Sequence, residues 1–306
     1  MKPTLVVICG PTAVGKTQLA IELALHWNAE IFSADSRQFY KEMNIGTAKP
    51  SPEQLQRVPH HFINHLSIHD SYSAGQYEKE AVERLENYFS AKPLALLVGG
   101  SGLFIHAVCN GFDNLEEFSK AKLFEIRNFL NKQSLEWLQR ETERLDPEFY
   151  QKTDKKNPAR LKRALEVIYV SGKKFSSMHT GMKAIRPFRI IKIGLMLPRN
   201  LLYERIHERT LHMMKNGLIE EAAHLYKYRN LQPLNTVGYK EVFQYLEGTL
   251  SLDEVAPLIE KNTRNYAKRQ ITWFKKDSSV NWFSPEQKED IIQFVESFIG
   301  NTDDTP

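Results

Sequence analysis

The segment from Gly10 to Thr17 constrains the fold more than any other, because it fits the eight-position pattern GxxxxGK(S/T) without a gap. A short run rich in β-branched residues, 4–9, precedes it, and a helical pattern follows from residue 16 to about residue 27. In such a loop successive N–H groups point at one anion, and the helix adds the positive end of its dipole. Lys16 supplies charge to terminal phosphates, and the Thr17 hydroxyl can hold Mg²⁺. The predicted phosphate-binding residues are Gly10, Pro11, Thr12, Ala13, Val14, Gly15, Lys16 and Thr17.

Strands and helices alternate in the first third of the chain. Residues 30–34 predict a second strand and residues 94–98 a third, with helical periodicity at residues 73–89 between them. This alternation favours an α/β fold in which a parallel sheet is flanked by helices, like that of the P-loop NTPases. Ligand sites of such sheets lie at the carboxyl ends of the strands.

The middle of the chain has a different pattern. Amphipathic helical segments dominate from about residue 114 to 183, at residues 118–131, 135–145 and 158–170. Strand character returns at residues 189–197 and 280–283, with helices at about 201–215, 218–228 and 257–275. We therefore expect a first core part at residues 1–113, a helical insertion at 114–186, and a second core part with C-terminal helices at 187–306.

Composition excludes some classes of protein. The longest apolar stretches hold five residues, whereas a membrane span needs about 20 and a signal-peptide core about 7–15. Cys9 and Cys109 lack metal-ligand spacing and are expected in the core. These features predict a cytoplasmic protein without a membrane partner.

The basic residues near the C-terminus allow two interpretations. Residues 257–276 carry six Lys or Arg residues against one acid. If the stretch is helical, Lys261, Arg264, Lys268 and Lys275 share one face, which is either a solvated surface or a stripe that contacts phosphates.

The identity of the bound polyphosphate depends on the acids near the loop. Enzymes that use ATP or GTP usually carry an acid at the end of a second apolar strand. Here residues 94–98 are followed by Gly-Gly-Ser, and Asp35 is the only acid that ends a predicted strand. Asp35 could help to hold a metal, cap a helix together with Ser36, or act as a general base.

Further blocks make the chain similar to the bacterial tRNA dimethylallyltransferases, also called tRNA isopentenyltransferases. The resemblance covers almost the whole chain. Its blocks are the phosphate loop, Asp35-Ser36 with Tyr40, residues 44–50, 59–61, 72–74, 97–101, 160–166, Val237-Gly238-Tyr239 and 268–273.

The resemblance implies transfer of a dimethylallyl group from dimethylallyl pyrophosphate to N6 of the adenine just 3′ of the anticodon (position 37). The tRNAs concerned read codons that begin with U. Asp35 matches the general base of the family, and Arg205 and Arg209 match its arginine-bearing segment; the alternative for both arginines is pairing with Glu204 or Glu208. The catalytic residues thus expected are Asp35, Lys16, Thr17, Ser101, Arg205 and Arg209, with Mg²⁺ on Thr17 as cofactor.

The resemblance also implies contacts with the anticodon stem-loop, made by a chain that we expect to be a monomer. These residues are Asp35, Ser36, Arg37, Gln38, Ser101, Ala159, Arg160, Leu161, Lys162, Arg163, Asn235, Thr236, Val237, Gly238, Tyr239 and Lys240. Leu161 also belongs to an apolar helix stripe, with Ala164, Leu165 and Ile168, that we expect in the core.

Three departures from the family pattern concern its finer contacts. Ser101 stands where the family usually has Thr, Asn64 replaces a common Asp, and residues 113–122 lack the usual proline and aspartate. Two other functions share part of these features. A small-molecule kinase would share the loop and the sheet, and a non-catalytic RNA-binding protein would bind tRNA without needing Lys16.

Overall fold

The structure, a computed structural model, describes residues 2–111, 120–178 and 184–300. The chain divides into two compact units, one of Met1–Asn110 with Ile185–Pro306 and the other of Gly111–Ala184. The predicted insertion, residues 114–186, starts three residues later than the second unit starts and ends two residues later than it ends. The first seven residues of the divergent segment 113–122 lie outside the described residues.

The first unit contains a six-stranded parallel sheet in the order β3-β2-β4-β1-β5-β6, which confirms the predicted fold class. The strands are β1 Thr4–Cys9, β2 Ile31–Ser33, β3 His60–His61, β4 Leu94–Gly99, β5 Arg189–Leu195 and β6 Val280–Phe283. β2 and β5 are each two residues shorter than predicted, because a turn follows β2 and Pro198 begins a helix soon after β5. β3 has no signal in the sequence, since two residues carry no periodicity.

Helices cover both faces of this sheet. In β1, Leu5 and Val7 point into one core cluster, which includes Tyr77, Val108 and Ile259 from helices on that face. Val6 and Ile8 point into the opposite cluster, with the first and last helices. The helices are α1 Lys16–His26, α2 Pro52–Arg57, α3 Ala74–Phe89, α4 Gly102–Asn110, then, after the second unit, α10 Arg199–Lys215, α11 Leu218–Leu225, α12 Tyr239–Leu246, α13 Leu252–Phe274 and α14 Lys288–Gly300.

The start of α13 differs from the prediction by five residues. The helix begins at Leu252, where the backbone N–H of Ser251 donates to the Glu254 carboxylate at 2.9 Å. Pro257 therefore lies inside the helix instead of opening it. A capping box, with an acid three residues after Ser251, was the stronger start signal.

The second unit is helical, as its sequence pattern predicts. Its helices are α5 Lys120–Asn131, α6 Leu135–Leu145, α7 Pro147–Lys152, α8 Pro158–Ser171 and α9 Phe175–Met178. The predicted apolar stripe of α8 is buried, with Leu161, Ala164 and Leu165 at 0% exposure and Ile168 at 8%. Among the described residues of the chain, no helix is long and apolar enough to cross a membrane.

Candidate active site

The candidate site lies where three neighbouring parallel strands end. β4 lies between β1 and β2, with Cys9 paired to Gly99 and Ser33 paired to Val98. The loops that follow these strands therefore start side by side at the carboxyl edge of the sheet. They carry the phosphate loop, Ser101 and Asp35.

The phosphate loop passes very close to the neighbouring strand β5. Gly10 has a φ of 148°, and a Cβ at this position would lie 2.7 Å from the carbonyl oxygen of Leu195. Only glycine fits so close to another backbone. The loop then leads directly into α1, whose first residue is Lys16.

Lys16 is enclosed by the loop that it closes. Its Nζ donates to the carbonyl oxygens of Gly10 at 3.0 Å and Pro11 at 2.7 Å. Burial lowers the pKa of this ammonium to about 8, although the nearby Asp35 carboxylate acts in the opposite direction. An anion bound in the loop would favour the charged form.

Arg205 and Arg209 both lie on α10, and both reach this site. Arg205 donates from Nη1 to the carbonyl oxygen of Val14 at 3.1 Å, and its Nη2 lies 3.5 Å from the Glu286 carboxylate. Burial lowers the pKa of Arg209, against the effect of nearby Asp35. The alternative pairing with Glu204 or Glu208 is wrong for both arginines within the described residues, because Arg205 pairs elsewhere and Arg209 forms no ion pair.

Asp35 begins a turn and does not cap a helix. Residues 36–39 form the turn, and Oδ1 of Asp35 accepts a hydrogen bond from the N–H of Arg37 at 3.0 Å. The helix-cap interpretation is therefore wrong, because the chain turns back instead of continuing as a helix. Within the described part of the chain, Oδ2 of Asp35 accepts no hydrogen bond, so this oxygen remains available for a proton or a metal ion.

Ser101 holds the turn that follows Asp35. Its Oγ accepts from the N–H of Ser36 at 3.1 Å and donates to the Ser36 hydroxyl at 3.2 Å. Two predicted tRNA-contact segments thus lie against each other. The side chain of Gln38, in the same turn, donates to the carbonyl oxygens of Thr47 at 3.3 Å and Ala48 at 3.2 Å.

Two uncharged residues of α13 reach the site, and neither was predicted from the sequence. Tyr266 lies near Asp35, and its pKa is raised to about 12, first by burial and then by the Asp35 carboxylate. Gln270, one helical turn later, is 6% exposed and contacts both the phosphate loop and the loop after β4. Gln270 lies in the family block 268–273, but no role at the site was predicted for it, because an uncharged side chain gives no sign of its partners.

A cavity opens beside the phosphate loop and combines polar and apolar walls. Its polar part includes Lys16, Thr17 and Asp35. The apolar wall is formed by Ala20, Ile31, Pro50, Ile63 and Val98. A ligand that carries phosphates at one end and a short hydrocarbon at the other would match both parts.

A magnesium ion is compatible with this donor set. Within the described part of the chain, no group of three or more His, Cys, Asp or Glu side chains could hold a metal ion. Mg²⁺ normally binds one or two protein oxygens and completes its shell with water and phosphate oxygens. The Thr17 hydroxyl and the Asp35 carboxylate face the same cavity and could provide such oxygens.

Several predicted tRNA contacts have structural roles that hide their side chains. Tyr239 and Leu161 are both 0% exposed, so a contact with tRNA through either side chain is excluded in this conformation. The hydroxyl of Tyr239 donates to Glu221 at 2.6 Å. Gly238 is also buried, and its N–H donates to Glu241 at 2.8 Å.

The fold and site define an α/β protein whose phosphate loop adjoins an apolar cavity and one carboxylate. A family model described as IPP transferase matches residues 38–277. The tRNA dimethylallyltransferase of Christiangramia forsetii is 46% identical over 300 residues, covering 98% of this chain and 99% of the relative. The tRNA dimethylallyltransferase 1 of Bacteroides fragilis is 45% identical over 296 residues, covering 97% and 98%. The chain therefore belongs to the IPP transferase family.

Solved structures agree with this assignment. The tRNA isopentenylpyrophosphate transferase of Bacillus halodurans is 35% identical, with a TM-score of 0.72 over 97% of this chain and 96% of that one. A eukaryotic dimethylallyltransferase described as acting on tRNA is 25% identical, with a TM-score of 0.84 over 98% of this chain and 80% of that one. The kinase interpretation is set aside, because these relatives are named for the transfer of a dimethylallyl or isopentenyl group and not of a phosphoryl group.

The lowered pKa of Lys16 predicts a pH dependence of anion binding. Above pH 8 the Lys16 ammonium of the free protein loses its proton. Because the anion binds the charged form, Lys16 must take up a proton again when the anion binds. We expect the dissociation constant for inorganic pyrophosphate to rise about tenfold per pH unit between pH 8 and 9.5. Calorimetric titration at several pH values measures this slope.

Two variants identify the group responsible. Lys16→Arg should flatten the profile, because a guanidinium stays protonated throughout this range. Lys49 is the matched control, since burial also lowers its pKa to about 8. Lys49→Arg should keep the slope, and a flat profile in the unaltered protein would contradict the role of Lys16.

Proposed function

We propose that this chain transfers a dimethylallyl group from dimethylallyl pyrophosphate to N6 of the adenine just 3′ of the tRNA anticodon (position 37). The tRNAs are those that read codons beginning with U. The observation that carries the proposal is the cavity in which Lys16, Thr17 and Asp35 meet an apolar wall. Relatives 45–46% identical, named tRNA dimethylallyltransferases, supply the specific donor and acceptor.

The donor fits the cavity by its two ends. Its pyrophosphate binds the N–H groups of the phosphate loop and the Lys16 ammonium. Its five-carbon chain packs on apolar side chains such as Ile31, Ile63 and Val98. A nucleotide offers no such short hydrocarbon, so the apolar wall favours an isoprenoid donor.

The reaction forms two bonds, from carbon to N6 and from the Asp35 carboxylate to the proton, and breaks two, from carbon to the pyrophosphate oxygen and from N6 to that proton. The adenine N6 lone pair attacks the first carbon of the dimethylallyl group, and the bond from that carbon to the pyrophosphate oxygen breaks. N6 also loses a proton, and Asp35 accepts it as general base. The amino group needs this help because its lone pair is delocalised into the ring.

Positive charge around the loop stabilises the leaving pyrophosphate. Lys16 and Arg209 are both enclosed near Asp35, and Arg205 is fixed against Val14 of the loop. As the bond breaks, negative charge grows on the pyrophosphate oxygens, and these cations are already in place to receive it. Mg²⁺, held by Thr17 and the phosphate oxygens, would neutralise further charge.

The second substrate is the anticodon stem-loop of tRNA. The enzyme acts on it as a monomer, in the cytoplasm. The target adenine must leave its stack to reach Asp35, as other base-modifying enzymes require. The turn after Asp35, with Ser36, Arg37 and Gln38, is the nearest surface for the extruded base. One chain carries the loop, the carboxylate and the arginines, so a single copy is sufficient.

A transfer assay tests the reaction directly. Unmodified tRNA is incubated with labelled dimethylallyl pyrophosphate and Mg²⁺, with labelled ATP as the control donor. We expect label to enter tRNA only from the isoprenoid donor, and pyrophosphate with Mg²⁺ to raise the melting temperature more than ATP does. Tight ATP binding with hydrolysis would contradict the proposal.

Asp35→Asn separates the general-base role from a metal-holding role. The amide keeps the size and can hydrogen-bond to the adenine amino group, but it cannot accept its proton. We expect single-turnover transfer to fall about 10²–10⁴-fold with little change in tRNA or donor affinity. A metal-holding Asp35 predicts weaker donor binding that extra Mg²⁺ partly restores, so rates and affinities are measured at two Mg²⁺ concentrations.

Asp70→Asn is the matched control, since Asp70 is exposed and its carboxylate only caps the Ser67 turn. It should transfer normally. Near-normal single-turnover chemistry in Asp35→Asn would end the general-base proposal.

The basic residues of α8 differ in their availability for tRNA. Arg163 pairs with Glu166 at 3.1 Å, and the same carboxylate binds Arg127 at 2.9 Å. The exposed Arg160 side chain has no partner among the described residues. Arg160 is therefore better placed than Arg163 to meet a phosphate of the anticodon stem.

Salt dependence measures this difference. Arg160→Ala should weaken tRNA binding and lower its salt slope by about one, and Arg163→Ala should lower it less. Lys152→Ala, at an exposed residue paired with Glu148, is the control. An unchanged slope in the double Arg160/Arg163 variant would mean that this helix does not bind tRNA.

A further inference from the structure

Gln270 joins the phosphate loop to the loop that follows β4. Its Oε1 accepts a hydrogen bond from the backbone N–H of Thr12 at 2.9 Å. Its Nε2 donates to the carbonyl oxygen of Gly100 at 2.8 Å. A backbone N–H can only donate and a carbonyl oxygen can only accept, so these partners determine the orientation of the carboxamide.

This contact removes one donor from the phosphate loop. Such loops bind phosphate oxygens through successive backbone N–H groups. The Thr12 N–H is directed at Gln270, and donating to an anion instead would leave a buried amide oxygen unpaired. The Val14 N–H donates to the carbonyl oxygen of Pro11 at 3.4 Å, whereas those of Ala13, Gly15 and Lys16 donate to no group among the described residues and can bind an anion.

The same carboxamide restricts the residue at the end of β4. A Cβ at Gly100 would lie 2.3 Å from Nε2 of Gln270, so no side chain fits there while Gln270 keeps its position. Enzymes that hydrolyse nucleoside triphosphates usually carry a metal-holding acid at the end of such a strand. Here Gln270 occupies the space that a side chain at this position would need.

We propose that Gln270 is a specificity-determining, positioning residue that limits the loop to a diphosphate. It withdraws the Thr12 N–H from anion binding and keeps an acid away from position 100. The inference rests on the proposed function, in which pyrophosphate is the leaving group, and it adds a reason why a triphosphate is not accepted. A purely structural Gln270 would instead affect the binding of all anions alike.

The test compares the affinities of two inorganic probes, pyrophosphate and tripolyphosphate, at fixed Mg²⁺. The unaltered protein should bind pyrophosphate more tightly. Gln270→Met has similar length but cannot accept from Thr12, so it should lower the ratio of the two affinities about tenfold. Gln270→Glu keeps an oxygen opposite the Thr12 N–H and should keep the ratio within about threefold, even if its negative charge weakens the binding of both anions.

Two further variants complete the experiment. Gln293→Met, at an exposed glutamine of α14, should leave the ratio unchanged. Gly100→Ala pushes the carboxamide away without altering it, so it should lower the ratio even if Gln270→Met does not fold. A ratio that stays constant in Gln270→Met or Gly100→Ala, or that falls equally in Gln270→Glu, would overturn the proposal.

These outcomes are separable from failure of the proposed function. The anion affinities are measured on the resting protein without tRNA, whereas the transfer assay needs both substrates. If selectivity depends on Gln270 but no transfer occurs, the reaction is wrong and the role of Gln270 stands. If transfer occurs and the ratio of the two anion affinities does not change in the Gln270 variants, only the inference about Gln270 fails.

Discussion

The parallel ladder between β1 and β4 is the interaction on which the rest of the site depends. Its register pairs Cys9 with Gly99, so the next residues of both strands begin their loops at the same level of the sheet. β2 extends the same register, because Ser33 pairs with Val98. A slip by one residue would exchange the buried faces of a strand and move its loop away from the others. Packing on both faces of the sheet therefore fixes the distances within the site.

This arrangement places two enclosed cations beside one carboxylate before any ligand binds. Burial lowers the pKa of both Lys16 and Arg209, while Asp35 opposes that effect at each. Charges held in this way cost folding free energy, but they need little reorganisation when an anion enters. The positive charges of Lys16 and Arg209 also attract the negative charge of the nearby Asp35 carboxylate, and only an ionised carboxylate can accept a proton while the anion departs.

Sequence could predict the parts of this site that have periodic or charged signals. The strand, loop and helix around Lys16 and the placement of Asp35 at a strand end follow from local pattern and from the geometry of parallel sheets. Tyr266 and Gln270 could not be found in this way, because they are uncharged and meet the site only through the tertiary position of α13. The turn at residues 36–39 was also unpredictable, since it depends on Ser101 from a distant segment.

Residues that resemble tRNA contacts need not touch tRNA in order to matter for it. The Glu221 carboxylate accepts from the N–H groups of Asn44, Ile45 and Gly46 at 2.9–3.0 Å, and from the Tyr239 hydroxyl at 2.6 Å. This connects the buried start of α12 to the segment at residues 44–46. The carbonyl oxygens that follow, at Thr47 and Ala48, hold the side chain of Gln38. A continuous set of hydrogen bonds thus runs from Tyr239 to the turn that begins at Asp35, so a change at Tyr239 would act on the base-binding turn through backbone position.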